Sequence, residues 1–223
     1  YIDTLIQVDL HQNQFTGPIP STIGNLTRME HLFLSENIFT GPIPESIIDM
    51  SILRILQLST NHLSKSIPTV VCELKILGYI FLDDNRFTGS IPSNINNLRA
   101  LQYLTLTRNC LSGTLPSVIN TLSVLTKLDV THNRMVGAIP TNVSYTMGSL
   151  GLGYNQFTGM YDGVCIYIYI YIVWMVYIVC ACVCIYMYIY DSVYIYGCDC
   201  MCVVCVCIRV YILCTINYLT ITN

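Results

Sequence analysis

The residues able to do chemistry are few and poorly grouped. His11, His31, His62 and His132 stand far apart and form no His-Glu-x-x-His pair for zinc. No Gly-x-Ser-x-Gly elbow presents a nucleophile, and no phosphate-binding loop or kinase motif is present. Gly151-Leu152-Gly153 begins a dinucleotide fingerprint, but Gln156 stands where its third glycine belongs. Asp83 and Asp84 are adjacent carboxylates, which on an exposed edge are a solvated acidic pair. Cys180, Cys182 and Cys184, then Cys198, Cys200, Cys202, Cys205 and Cys207, imitate thiolate spacing. Val, Ile and Tyr fill their gaps, where zinc sites need polar turns. The expectation is a protein that is not an enzyme, with no metal site and no cofactor.

What remains is binding, and the elements that would position it are periodic. Asparagines recur at 13, 37, 61, 85, 109 and 133, always 24 apart. Ile-Pro or Leu-Pro ends at Pro20, Pro44, Pro68, Pro92, Pro116 and Pro140 with the same spacing. Apolar residues precede each asparagine by three and five positions, as in Leu56/Leu58 and Ile80/Leu82. This alternation predicts a half-buried strand. Glycine follows each asparagine by four, except at Lys65. Proline denies a long helix on the outer side and fixes an extended return path. One unit cannot bury its apolar face alone, whereas stacked units can. A shortened seventh unit carries Leu150, Leu152, Asn155, Phe157 and Gly159.

The pattern L-x-x-L-x-L-x-x-N-x-F/L-x-G-x-I-P-x-x-I-x-x-L closely resembles the plant-specific leucine-rich repeat. Phe15-Thr16-Gly17-Pro18-Ile19-Pro20, Phe39 to Pro44 and Phe87 to Pro92 carry it most clearly. The resemblance implies an α/β solenoid over residues 1–160, with about six 24-residue repeats, a truncated seventh and a parallel concave β-sheet. It further implies a receptor-like protein or receptor-kinase ectodomain in signalling, outside the plasma membrane. The alternative is a secreted inhibitor or scaffold with the same binding face. Cysteine pairs often seal such arrays, but none flanks this one; Cys72 and Cys110 fall on different sides of the coil.

The variable strand positions align in rows about 4.8 Å apart per step. Six residues before each asparagine the row reads Gln7, His31, Ile55, Tyr79, Tyr103, Lys127 and, in the shortened unit, Ser149. Four before, it reads Asp9, Phe33, Gln57, Phe81, Thr105, Asp129, Gly151. His31, Phe33, Ile55, Tyr79, Phe81 and Tyr103 therefore converge on the middle strands, with Asp83 one row further on. Exposed strands have no structural need for so many aromatic rings. These seven residues are the candidate site for a peptide or protein ligand with apolar or cationic side chains. Glu36, Asp83 and Asp84 line the following edge. A net charge of −3 excludes a polybasic surface, so no nucleic-acid partner is expected. Asn25-Leu26-Thr27 and Asn142-Val143-Ser144 are glycosylation sequons on the outward side.

Residues 161–223 differ in kind. They carry 10 of the 12 cysteines and 12 of the 17 tyrosines. Val164 to Tyr190 is uninterruptedly apolar and long enough for a transmembrane segment, which gives a candidate membrane association through 164–190. Against a span stand the alternating Tyr and Ile of 166–172 and the missing Lys/Arg cluster after it. TA and GT dinucleotide repeats, read in triplets, encode Tyr-Ile and Val-Cys. The tail is thus read as a low-complexity segment, translated repetitive DNA or a gene-model artefact, with the membrane span as the competing reading. The chain opens at Tyr1 inside the repeat pattern with no signal peptide, so a fragment of a longer gene is expected.

Overall fold

The computed structural model describes residues 4–140 and 147–158. Asn142, the 160/161 boundary and the whole apolar tail, with its candidate span at 164–190, lie outside the described residues. Among the described residues no helix is long and apolar enough to cross a membrane.

Strands come in two alternating series. The first comprises β1 (Gln7–Asp9), β3 (His31–Phe33), β5 (Ile55–Gln57), β7 (Tyr79–Phe81), β9 (Tyr103–Thr105), β11 (Lys127–Asp129) and β13 (Ser149–Gly151). They hydrogen-bond in that order as one parallel, seven-stranded concave sheet. The second comprises β2 (Thr16–Pro18), β4 (Ile38–Gly41), β6 (His62–Lys65), β8 (Arg86–Gly89), β10 (Cys110–Leu111), β12 (Val136–Ala138) and β14 (Gln156–Thr158). Of these, β2 to β10 form a five-stranded parallel sheet, and β12 pairs with β14. Parallel neighbours require a crossover. Here the crossover is the rest of each coil.

The outer side carries short 3-10 helices at Ser21–Asn25, Glu45–Asp49, Thr69–Glu73, Ile95–Asn97 and Ser117–Thr121. Pro20, Pro44, Pro68 and Pro116 immediately precede four of them in extended conformation. Each proline carbonyl accepts the first helical bond, as from Ile23 N–H to Pro20 at 3.0 Å. The ring fixes φ and supplies no N–H, so the chain enters a single tight turn rather than a long helix.

The core is one continuous stack. Leu32, Leu56, Ile80, Leu104 and Leu128 pair in register along the concave sheet and are buried. Phe39, Leu63, Phe87, Leu111 and Met135 fill the opposite wall. Phe15, at the same position of the first described coil, is 43% exposed. Each buried side chain of this size is stabilised by about 1.5–3 kcal/mol only when its neighbours are present.

The asparagines bind coil to coil. Asn85 is buried, and its Nδ2 donates to the carbonyls of Leu58 (2.9 Å), Leu82 (3.3 Å) and Asp83 (3.1 Å). Its Oδ1 accepts the Leu63 N–H of the preceding coil at 2.9 Å. Asn37, Asn61, Asn109, Asn133 and Asn155 repeat the arrangement, each accepting from the coil before. Among the described residues the Asn13 side chain bonds the carbonyls of Leu10 and His11 in its own coil.

The second sheet departs from the sequence expectation of a simple extended return. Its cause is the turn before each asparagine. Gln12, Glu36, Thr60, Asp84, Arg108, His132 and Tyr154 all adopt left-handed φ between 50° and 56°. This swings the Phe-Thr-Gly segment alongside its counterpart in the next coil. Gly17, Gly41, Gly89, Gly113 and Gly137 then turn with φ of 75–84°, and Lys65 holds φ 72° without a glycine's freedom. Cys72 and Cys110 are free thiols, one in an outer 3-10 helix and one in β10.

Candidate functional site

Register places the variable residues in the rows that their spacing predicts. Gln7, His31, Ile55, Tyr79, Tyr103, Lys127 and Ser149 are consecutive Cα partners across the concave sheet. Asp9, Phe33, Gln57, Phe81, Thr105, Asp129 and Gly151 form the parallel row. Alternation sends the central Val, Leu or Ile of each strand inward and its two flanking residues outward.

The rings gather in two clusters. Tyr79 stacks on Tyr103 with centroids 5.2 Å apart and planes 18° apart. Phe81 adjoins Tyr79 at 6.5 Å, also stacked. His31 and Phe33 form a separate tilted pair at 6.1 Å. Ile55 and Gln57 of β5 lie between the clusters, so the candidate patch has an aliphatic strip at its centre. All six apolar and aromatic candidates are half-buried. The Tyr79 hydroxyl donates to Gln102 Oε1 at 2.9 Å, which fixes the ring's tilt.

Asp83 lies beside this patch, but its carboxylate is occupied. Oδ1 accepts the Thr107 N–H at 2.8 Å and the Thr107 hydroxyl at 3.0 Å. Oδ2 accepts the hydroxyls of Thr105 and Ser59. The group ties three coils together. Asp84 pairs with Arg108 at 3.4 Å, and Glu36 accepts from Gln12 at 3.0 Å. The acidic edge read from the sequence is therefore engaged within the chain. At its start, His11 Nδ1 meets Asp9 Oδ1 at 2.5 Å. The hydrogen bond to His11 holds the Asp9 carboxyl below its usual range, and Asp9 raises His11.

Asn25 is exposed at the end of an outer 3-10 helix, away from the concave rows. Among the described residues no group of His, Cys, Asp and Glu is arranged to hold a metal ion. Burial pushes the Cys72 thiol up to about 12, the opposite of a reactive cysteine.

This geometry is that of a repeat solenoid with a display face. Two leucine-rich repeat family profiles match the chain, one at residues 4–26 and 28–50 and the other at 74–135. A solved structure of a plant peptide hormone receptor, RGFR1 in complex with RGF2, is 36% identical with a TM-score of 0.68; the match covers 70% of this chain and 25% of that one. The Arabidopsis receptor kinase HAESA, solved with the peptide hormone IDA and the co-receptor SERK1, gives 30% identity, a TM-score of 0.67 and coverage of 70% and 26%. A chain of the BIR3–SERK2 complex from Arabidopsis thaliana is 31% identical with a TM-score of 0.50, covering 68% of this chain and 69% of that one. No curated protein matches the sequence significantly. The chain belongs to the plant-type leucine-rich repeat proteins. It spans about a quarter of the length of the two receptors.

Proposed function

We propose that this chain is part of the extracellular ectodomain of a plant receptor-like protein and that its concave face recognises an extended peptide segment. The reading is non-enzymatic: the face positions a ligand and transforms nothing. One observation carries it. Tyr79, Tyr103 and Phe81 form a stacked, half-buried aromatic wall on a sheet whose core is already filled from the other side. Rigid aromatic rings on an open surface supply large contact area at little entropic cost, as binding hot spots do. The receptors named above, solved with peptide hormones, support the same assignment by similarity.

In this reading His31 and Phe33 seat a second apolar side chain, and Ile55 bridges the two clusters. The clusters lie two strand spacings apart, about 10 Å, within reach of one short extended peptide. Asp83 serves the site by locking β5, β7 and β9 rather than by meeting the ligand. Asn25 carries a glycan on the outer side, which leaves the concave face open. A mass shift on glycosidase treatment of secreted protein, absent in Asn25→Gln, checks that assignment.

The test uses the full chain as bait for a displayed library of random linear peptides. Selected peptides should lose about 30- to 1000-fold in affinity against Tyr79→Ala/Tyr103→Ala, the equivalent of 2–4 kcal/mol. Unchanged binding by the double variant would place recognition elsewhere.

A further inference from the structure

Positive charge gathers on one stretch of the second sheet. None of the strands β2, β4, β6, β8 and β10 carries an acidic residue. Their basic residues, His62, Lys65 and Arg86, all lie on β6 and β8. All three are exposed, and among the described residues none of their side chains has a hydrogen bond or an ion pair. Ser64 is the Cα partner of Arg86, and Lys65 that of Phe87. Arg86 therefore stands one strand spacing, about 4.8 Å, across from the stretch between His62 and Lys65. The carboxylates nearest Arg86 in sequence are engaged elsewhere. Asp84 pairs with Arg108, and Asp83 accepts from Ser59, Thr105 and Thr107 on the concave side.

Lys65 is placed there against the preference of its own backbone. Other coils put glycine at this position, with φ of 75–84°, whereas Lys65 holds φ 72° with a Cβ. Left-handed backbone is costly for such a residue, and an outlier of this kind points to a use for its side chain. Here the departure from glycine sets an ammonium beside the Arg86 guanidinium. The surroundings are hydroxyls rather than aromatic rings. Thr40, Ser64 and Thr88 share one repeat position on β4, β6 and β8, with Thr40 and Thr88 exposed and Ser64 half-buried. A ligand laid across these strands meets two fixed cations and a row of groups that both donate and accept.

We propose that the β6–β8 stretch of the second sheet binds a linear anionic polysaccharide, with Lys65 and Arg86 meeting its acidic groups and His62 adding a hydrogen bond. The site is separate from the concave face and does not depend on a peptide being bound there. Arg86 takes a carboxylate or sulfate through its guanidinium fork, and Lys65 adds a point charge. The hydroxyls of Thr40, Ser64 and Thr88 suit a sugar chain, whose own hydroxyls pair with them, better than an acidic peptide, whose side chains need apolar seats. Two cations and a histidine in a chain of net charge −3 make a local site rather than a polybasic surface.

The experiment titrates the full chain with oligogalacturonate, its methyl ester, a sulfated dextran and poly-L-glutamate. The wild type is compared with Lys65→Gly/Arg86→Gln and with Lys75→Gln, which removes an exposed lysine from the opposite side of the coil. Far-ultraviolet circular dichroism checks that each variant is folded. At least one anionic polysaccharide should bind the wild type, more weakly as salt rises, and the methyl ester should bind about tenfold less tightly than oligogalacturonate if carboxylate is the anion recognised. Tighter binding of the sulfated dextran identifies sulfate instead. The double variant should lose about tenfold for the preferred polysaccharide, and Lys75→Gln less than about twofold. A folded double variant that binds as tightly as wild type, an equal loss in Lys75→Gln, or no binding of either polysaccharide would overturn the site. Poly-L-glutamate bound as tightly as the polysaccharides would overturn the choice of ligand and point to an acidic protein. None of these outcomes bears on the concave-face reading, which is tested through Tyr79 and Tyr103.

Discussion

Removing one ladder asparagine should cost an amount set by where its coil sits in the stack. In Asn85→Ala the carbonyls of Leu58 and Leu82 keep other donors, Asn61 at 3.1 Å and Asn109 at 3.0 Å. The Asp83 carbonyl keeps the Thr60 N–H at 2.8 Å. The Leu63 N–H loses its acceptor while Leu63 itself is fully buried. A single buried donor left without a partner costs about 1–3 kcal/mol. Asn13 is the internal control: it is exposed, and among the described residues its side chain only donates, to carbonyls of its own coil, so Asn13→Ala in this chain should cost less than about 1 kcal/mol. Asn85→Asp keeps an acceptor for Leu63 but turns a charged oxygen toward three carbonyls, and should cost more than the alanine. Urea unfolding followed by far-ultraviolet circular dichroism reads all three. Equal losses at Asn13 and Asn85, or an Asn85→Asp as stable as wild type, would refute the idea that the asparagine ladder works by satisfying the neighbouring coil.

Other perturbations read the same structure. Lys65 holds a φ of 72° where other coils have glycine, so Lys65→Gly should raise unfolding stability by about 0.5–1 kcal/mol in the urea assay. Gly24→Ala should destabilise by about 1–3 kcal/mol, since its new Cβ would come 2.3 Å from the Ser46 carbonyl oxygen of the next coil. By NMR, His11 should titrate above its usual 6.5, and Asp9→Asn should bring it back. The sign follows from the shifts. The His11 contribution to stability is present below 6.5 and fades as pH rises through its raised folded value, while the Asp9 contribution is present above 3.8 and fades as pH falls through its lowered one. Cys72 should resist alkylation at pH 8 in the folded chain and react once urea opens it.

The solenoid was legible because its period is a physical constraint. A strand, a turn and an outer return must close before the next strand can pair, so the asparagines and prolines cannot drift. The same period aligned Tyr79 with Tyr103 and Phe33 with Gln57, and the register follows those rows. The second sheet was not legible. The left-handed turn that creates it falls on Gln12, Glu36, Thr60, Asp84, Arg108, His132 and Tyr154, seven residue types with no common signal. The engagement of Asp83 was hidden for another reason. Its partners Ser59, Thr105 and Thr107 sit one coil away on either side and are visible only once the coils are stacked.

The central claim is that the concave aromatic wall, and not the outer surface, meets the ligand. A photoreactive benzoylphenylalanine placed at Phe81, and separately at exposed Thr88 of β8 in the second sheet, tests it with one selected peptide. A light-dependent adduct is expected from position 81 and none from position 88. An adduct from 88 alone would contradict it.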